Sequence, residues 1–232
     1  MPDKEYHLLN RLLTISGNWK IKELQEIRQE LQDQYAEERD VLLRDGISYA
    51  DAFLAIIDED FEAAYRFASP IRSRLKYKEE PWDLYDITFA STIAGYSTVL
   101  IEISDFVDKI LVQIKEFSKV NKEKAEYIKI SMRINVCLSL IHMKYFKLID
   151  ADDVDYAEKL FSENIAAVLS GSSKKLNIRR YYVALISKGL FFEMNDFINE
   201  GLDGLNDLGE EDLRQFMLRA IENYRLKYKA AV

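Results

Sequence analysis

The chain is poor in the residues that build most centres of chemistry. It has one cysteine, two histidines, three prolines and eight glycines in 232 residues. A lone Cys137 excludes an intrachain disulfide and suits a reducing compartment, so a cytoplasmic location is expected. Between Val136 and Leu138 it reads as a small buried hydrophobe. His7 and His142 have no second imidazole or thiol at ligand spacing, so neither a metal nor a cofactor is expected. No apolar run reaches about 18 residues, which excludes a membrane-spanning helix. The polar stretch Met1–Tyr6 is not a secretory signal. Excess positive charge is missing too: the net charge of -8 argues against a general nucleic-acid binder.

Motifs for catalysis are equally thin. Gly201 and Gly204 follow no strand pattern, so a nucleotide-binding loop is not expected. Asp150, Asp152, Asp153 and Asp155 look like the start of a calcium loop. Asp155, however, stands where that loop needs glycine, and Phe161 where it needs glutamate. They read as a charged loop before a helix. His142 sits between Ile141 and Met143, where a core or groove role fits better than a catalytic base. No carboxylate pair stands out, and an enzyme is not expected.

What the chain has is helical periodicity. Hydrophobic residues make up 48% of it, and they recur every three or four positions between short breaks. The breaks are read at Gly17-Asn18, Asp45-Gly46, Ser69-Pro70, Glu80-Pro81, Tyr96-Ser97, Val120-Asn121, Ile149–Asp155, Gly171–Lys174, Asn195-Asp196 and Leu208-Gly209. Asp45-Gly46 reads as a helix stop, and Pro70 and Pro81 as first helical residues, with Ser69 a cap for Pro70. After Ser97, Ile103, Phe106, Val107, Ile110 and Ile114 form one stripe. Lys122 to Phe146 is apolar over more than one stripe, as a central helix would be. The last segment repeats the logic from Leu213 to Tyr228. Roughly nine or ten helices with short joints predict an all-α stack of antiparallel helix pairs. A single domain over 1–232 is expected, with N-terminal helices in 1–47 and repeat-like helices in 48–232.

Three features suggest a groove. Asn135, on an otherwise apolar helix, could clamp a peptide backbone or tie two helices together. Lys174, Lys175, Arg179 and Arg180 gather positive charge that suits a peptide carboxylate or a solvated helix start. Tyr181, Tyr182, Phe191 and Phe192 are dense aromatics, which serve cores more often than ligands.

Trp82-Asp83-Leu84-Tyr85-Asp86 before a long helix resembles the C-terminal regulatory domain of the Rgg/GadR/MutR family of transcriptional regulators. That family has Trp, two residues, then Tyr-Glu; Asp86 departs from it. Arg133, Asn135 and Leu138, the start Asp155-Tyr156-Ala157-Glu158, and Tyr182–Leu185 through Gly189-Leu190 follow in similar order. Gly201-Leu202-Asp203-Gly204-Leu205 and Leu208-Gly209 resemble the closing repeats, where a Leu-Gly turn precedes a final helix. The likeness runs from Ser48 to Tyr228. It implies a tetratricopeptide-like right-handed superhelical stack that forms a homodimer, binds a short apolar signalling peptide on its concave face, and serves quorum sensing. Arg133, Asn135, Arg179, Arg180 and Tyr182 are the peptide-binding candidates. The likeness also implies a helix-turn-helix, for which the chain has no room, so DNA would be reached only through an N-terminal domain absent here. The alternative is a helical interaction scaffold with no signalling ligand. A third reading, an enzyme or small-molecule sensor, needs a closed polar cavity.

Overall fold

The computed structural model describes residues 6–17, 20–58, 60–79, 81–170 and 177–230. Among these, every regular element is helical and none is a strand. The helices are α1 (His7–Gly17), α2 (Ile21–Glu38), α3 (Val41–Ile57), α4 (Phe61–Tyr77), α5 (Leu84–Ile93) and α6 (Leu100–Phe117). Then come α7 (Lys122–Tyr145), α8 (Val154–Val168), α9 (Ile178–Phe191), α10 (Asn195–Asp207) and α11 (Glu211–Ala230), with a 3-10 turn at Ala151–Asp153 before α8. No helix among the described residues is long and apolar enough to cross a membrane.

Most boundaries follow local chemistry. Asp40 caps α3 by accepting from Leu42 N, Asp60 caps α4 from Ala63 N, and Asn121 caps α7 from Lys124 N. Asn177 caps α9 through Arg180 N. Three of the expected breaks differ. Asp45 and Gly46 lie inside α3, not at its end. Gly46 is there for space: a Cβ on it would sit 2.5 Å from Leu9 Cδ2 of α1. Pro70 lies inside α4, because that helix, capped by Asp60, starts at Phe61 nine residues earlier. Pro81 precedes α5 instead of opening it; Asp83 accepts from Asp86 N at 2.8 Å and caps the helix. The expected break at Gly171–Lys174 lies outside the described residues.

Packing divides the chain into two compact units, Met1–Ile93 and Ala94–Val232. In the first, each helix from α1 to α5 packs on the next, and α3 also touches α1 and α5. Leu9, Leu12, Leu24, Ile27, Leu31, Leu43, Ile71 and Leu75 are fully enclosed there.

In the second unit α7 is central. It packs on α6, α8, α9 and α11, and no residue from Ala125 to Phe146 is exposed. Its apolar breadth in the sequence is thus explained by neighbours on several sides. α9 and α10 pack most intimately: a Cβ on Gly201 would lie 2.7 Å from Tyr182 O, and one on Gly189 would lie 2.7 Å from Met194 O.

One turn recurs. After α7, Lys147 N donates to Lys144 O and Leu148 N to Met143 O, with Lys147 at φ 54°. After α10, Gly209 N donates to Asn206 O and Glu210 N to Leu205 O, with Gly209 at φ 71°. After α9, Met194 N donates to Gly189 O and Glu193 has φ 59°. These are Schellman-type ends, in which a left-handed residue lets the chain satisfy carbonyls the helix leaves open.

Candidate functional site

The strongest concentration of buried charge lies in the first unit. Asp45 of α3 and Asp86 of α5 are both fully buried. Arg74 of α4 reaches both: Nε lies 2.6 Å from Asp45 Oδ2 and Nη2 lies 2.6 Å from Asp86 Oδ1. Lys78 Nζ takes Asp86 Oδ2 at 2.6 Å, and Arg44 Nη2 takes Asp45 Oδ1 at 3.2 Å. Burial raises the Asp45 pKa, against the pull of Arg74 and Arg44. Burial lowers that of Arg74, but bonds and charges from Asp86 and Asp45 outweigh it and hold the guanidinium above its ordinary value. Asp83 is raised by burial, with the Asp86 charge adding to it.

All four carboxylate oxygens of Asp45 and Asp86 are thereby engaged by cations of the same unit. The cluster fastens three helices to one another. The Trp82–Asp86 motif belongs to this fastening. Trp82 is buried, Asp83 caps α5, and Tyr85 donates to Asn10 Oδ1 at 3.0 Å and meets the Tyr6 ring edge-on.

This cluster was not foreseen in the sequence, yet it left a signal there. Asp45 stands on the Leu42-Tyr49-Ala52 stripe of α3, an acid where the period calls for an apolar residue. Arg74 and Lys78 are four apart and so share a side.

The peptide-binding candidates all fall in the second unit, on the adjoining helices α7 and α9. Arg133 and Asn135 do not share a side: two residues on a helix diverge by about 200°. Arg133 turns to α8 and donates to Asn164 Oδ1 at 3.1 Å. Asn135 is half-buried, and its carbonyl lies beside Gly95. Ser139, one turn on, donates to Gly95 O. Arg179 and Tyr182, three apart, do share a side. Arg179 Nη1 lies 3.4 Å from Glu210 Oε2, and the Tyr182 ring lies over Gly204, where a Cβ would overlap it. Arg180 projects about 100° away from Arg179 and is half-buried. Lys174 and Lys175 lie outside the described residues. Cys137 is fully enclosed against Phe161, and burial pushes its thiol far above the ordinary range, so it is inert as a nucleophile.

Two further surface features belong to the second unit. A groove of about 580 Å³ runs along α11, lined by Gln215, Leu218, Arg219, Glu222, Arg225 and Leu226. The ends of α7 and α9 stand level: Lys144 Nζ donates to Phe191 O at 2.6 Å and Tyr145 OH to Leu190 O at 3.0 Å. Among the described residues no three His, Cys, Asp or Glu side chains converge as a metal site would need. Comparison with family models, curated proteins and solved structures finds no match to this chain.

Proposed function

We propose that the chain is a helical binding protein that holds a segment of another polypeptide, and that its second unit does the holding. One observation carries this. The adjoining helices α7 and α9 end in the same way, with left-handed Lys147 before Leu148 in one and left-handed Glu193 before Met194 in the other. Adjoining helices with matching ends suit the stacked helix pairs from which repeat proteins build extended binding faces.

The specific form of this reading is the one the family likeness implies. It is a regulatory domain with a tetratricopeptide-like stack that dimerises, takes a short apolar signalling peptide, and reaches DNA through a further domain. In this form Arg179 would take the charged end of such a peptide. The broader form is a scaffold for a folded partner.

Selection of phage-displayed peptides on the purified chain tests the proposal. A consensus that binds in solution and raises the melting temperature with dose supports it. A folded chain that enriches no consensus contradicts it. Length then sorts the two forms: saturation by a free peptide under about a dozen residues fits the sensor, whereas a need for a larger interface fits the scaffold.

A further inference from the structure

The repeated turn has a second property. At the end of the second unit where α7 and α9 finish, apolar side chains face solvent. Leu148 is 40% exposed, Val154 42%, Phe192 39% and Met194 45%. The level ends of α7 and α9 bring Leu148 and Met194, the matching residues of the two turns, to the same end of adjoining helices. Phe192 meets Phe161 of α8 edge-on at 5.6 Å between ring centroids. Val154 stands two turns before Phe161 on the same stripe of α8. A lone exposed leucine needs no explanation, but a group of four on two turns and one helix start does.

The exposed charge around these residues is mostly negative. Asp150, Asp152, Asp153 and Asp155 are exposed beside Val154, and Glu193 and Asp196 are exposed beside Met194. Lys147 is the one basic residue within these turns, and it is exposed. Acids at a helix start are often explained as caps, but Asp150 and Asp153 make no side-chain capping bond. Glu193 is not at a helix start; it occupies a left-handed turn position after α9. These exposed carboxylates flank exposed apolar residues along the chain, as a polar rim flanks an interface core.

We infer that this end of the second unit docks a basic amphipathic segment of a partner protein, with apolar side chains seated on Leu148, Val154, Phe192 and Met194 and lysines or arginines facing the acidic rim. The inference rests on the broader polypeptide-binding reading and gives it a place at the end of α9 away from Arg179, distinct from the short-peptide form. Charge complementarity selects this occupant: an anionic membrane or an acidic peptide would be repelled.

The test uses the full chain and a fluorescein-labelled model peptide of about 14 residues, leucine on one helical face and lysine on the other. Its counterpart with glutamate for every lysine is the control. Fluorescence anisotropy should show saturable binding of the lysine peptide and none of the glutamate peptide. Leu148→Ser with Met194→Ser should weaken binding at least tenfold at an unchanged melting temperature. Asp152→Lys with Asp155→Lys should weaken it by a similar factor, while the same charge change at Asp203 and Asp207 should leave it within twofold.

Absence of binding, or binding that ignores the Leu148 and Met194 changes in a folded protein, overturns the inference. So does a wild-type dimer in sedimentation velocity that these two changes convert to monomer, because the patch would then be covered by a second copy. If phage-selected peptides bind at another place while the lysine peptide fails, the docking surface is wrong and the polypeptide-binding reading stands. If both fail, the reading itself falls.

Discussion

The two units are held together by different physics. In the first, the helices are pinned by charge: Arg74 spans two fully buried carboxylates contributed by α3 and α5. In the second, they are pinned by shape: α10 lies so close to α9 that Gly201 and Gly189 have no room for a methyl group, and Phe161 stacks on Phe191 with ring centroids 3.9 Å apart. A buried ion cluster tolerates little loss of one member, because the remaining charge is stranded in a medium that cannot solvate it. A close-packed contact fails more gradually, as strain that neighbours can share.

The sharpest way to break the comparison is to remove the central cation. Arg74→Met should destabilise the protein by about 3–5 kcal/mol, since Asp45 and Asp86 would lose their shared partner. Urea unfolding of the two proteins would measure it, and a loss below about 1 kcal/mol would mean the cluster behaves like a surface ion pair.

Gly201→Ala is the corresponding insult to the second unit. The new Cβ would meet Ile186 Cγ1 at 2.5 Å and the Tyr182 carbonyl at 2.7 Å. A loss of about 1–3 kcal/mol is expected in the same assay. A gain would show that α9 and α10 separate at little cost.

Smaller again is the effect of relieving the turn after α7. Lys147 holds a left-handed conformation that a side chain disfavours. Lys147→Gly should stabilise the protein by about 1 kcal/mol, read as a rise in the urea midpoint without a change in slope.

The subtlest prediction concerns pH. Burial raises the Asp45 carboxyl above its unfolded value of 3.8. A raised carboxyl binds its proton more tightly in the folded state, so its contribution to stability is present below the unfolded pKa and is lost as pH rises through the folded pKa. The stability of the wild type relative to Asp45→Asn should therefore fall as pH is raised from 3.8 through the raised folded value. A relative stability that climbs over that window would mean that Arg74 and Arg44, not burial, set the titration.

These contrasts also bear on what the sequence could disclose. The all-helical class, the start at Asn195, the break at Val120-Asn121 and the Leu208-Gly209 turn were legible, because each depends on residues within a turn or two of itself. Asp45-Gly46 misled because a glycine needed for room looks the same in sequence as one needed for a stop, and only α1 crossing above it tells them apart. Pro70 misled for a related reason: a proline can sit within a helix whose other bonds and packing hold it. The candidate site was legible only by helix. Arg133 and Asn135 looked like partners by proximity in the chain, but the helical period sends them to different neighbours. That the ends of α7 and α9 meet needed three dimensions, since Lys144 and Tyr145 bond the carbonyls of Phe191 and Leu190 more than 40 residues on.

Amide hydrogen–deuterium exchange on the full chain, with and without the phage-selected peptide, tests the division of labour most directly. Added protection should fall within the second unit and be strongest from His142 to Phe161 and from Lys188 to Ile198, with Met1–Ile93 unchanged. Protection confined to the first unit would contradict the claim that the second unit is the part that binds.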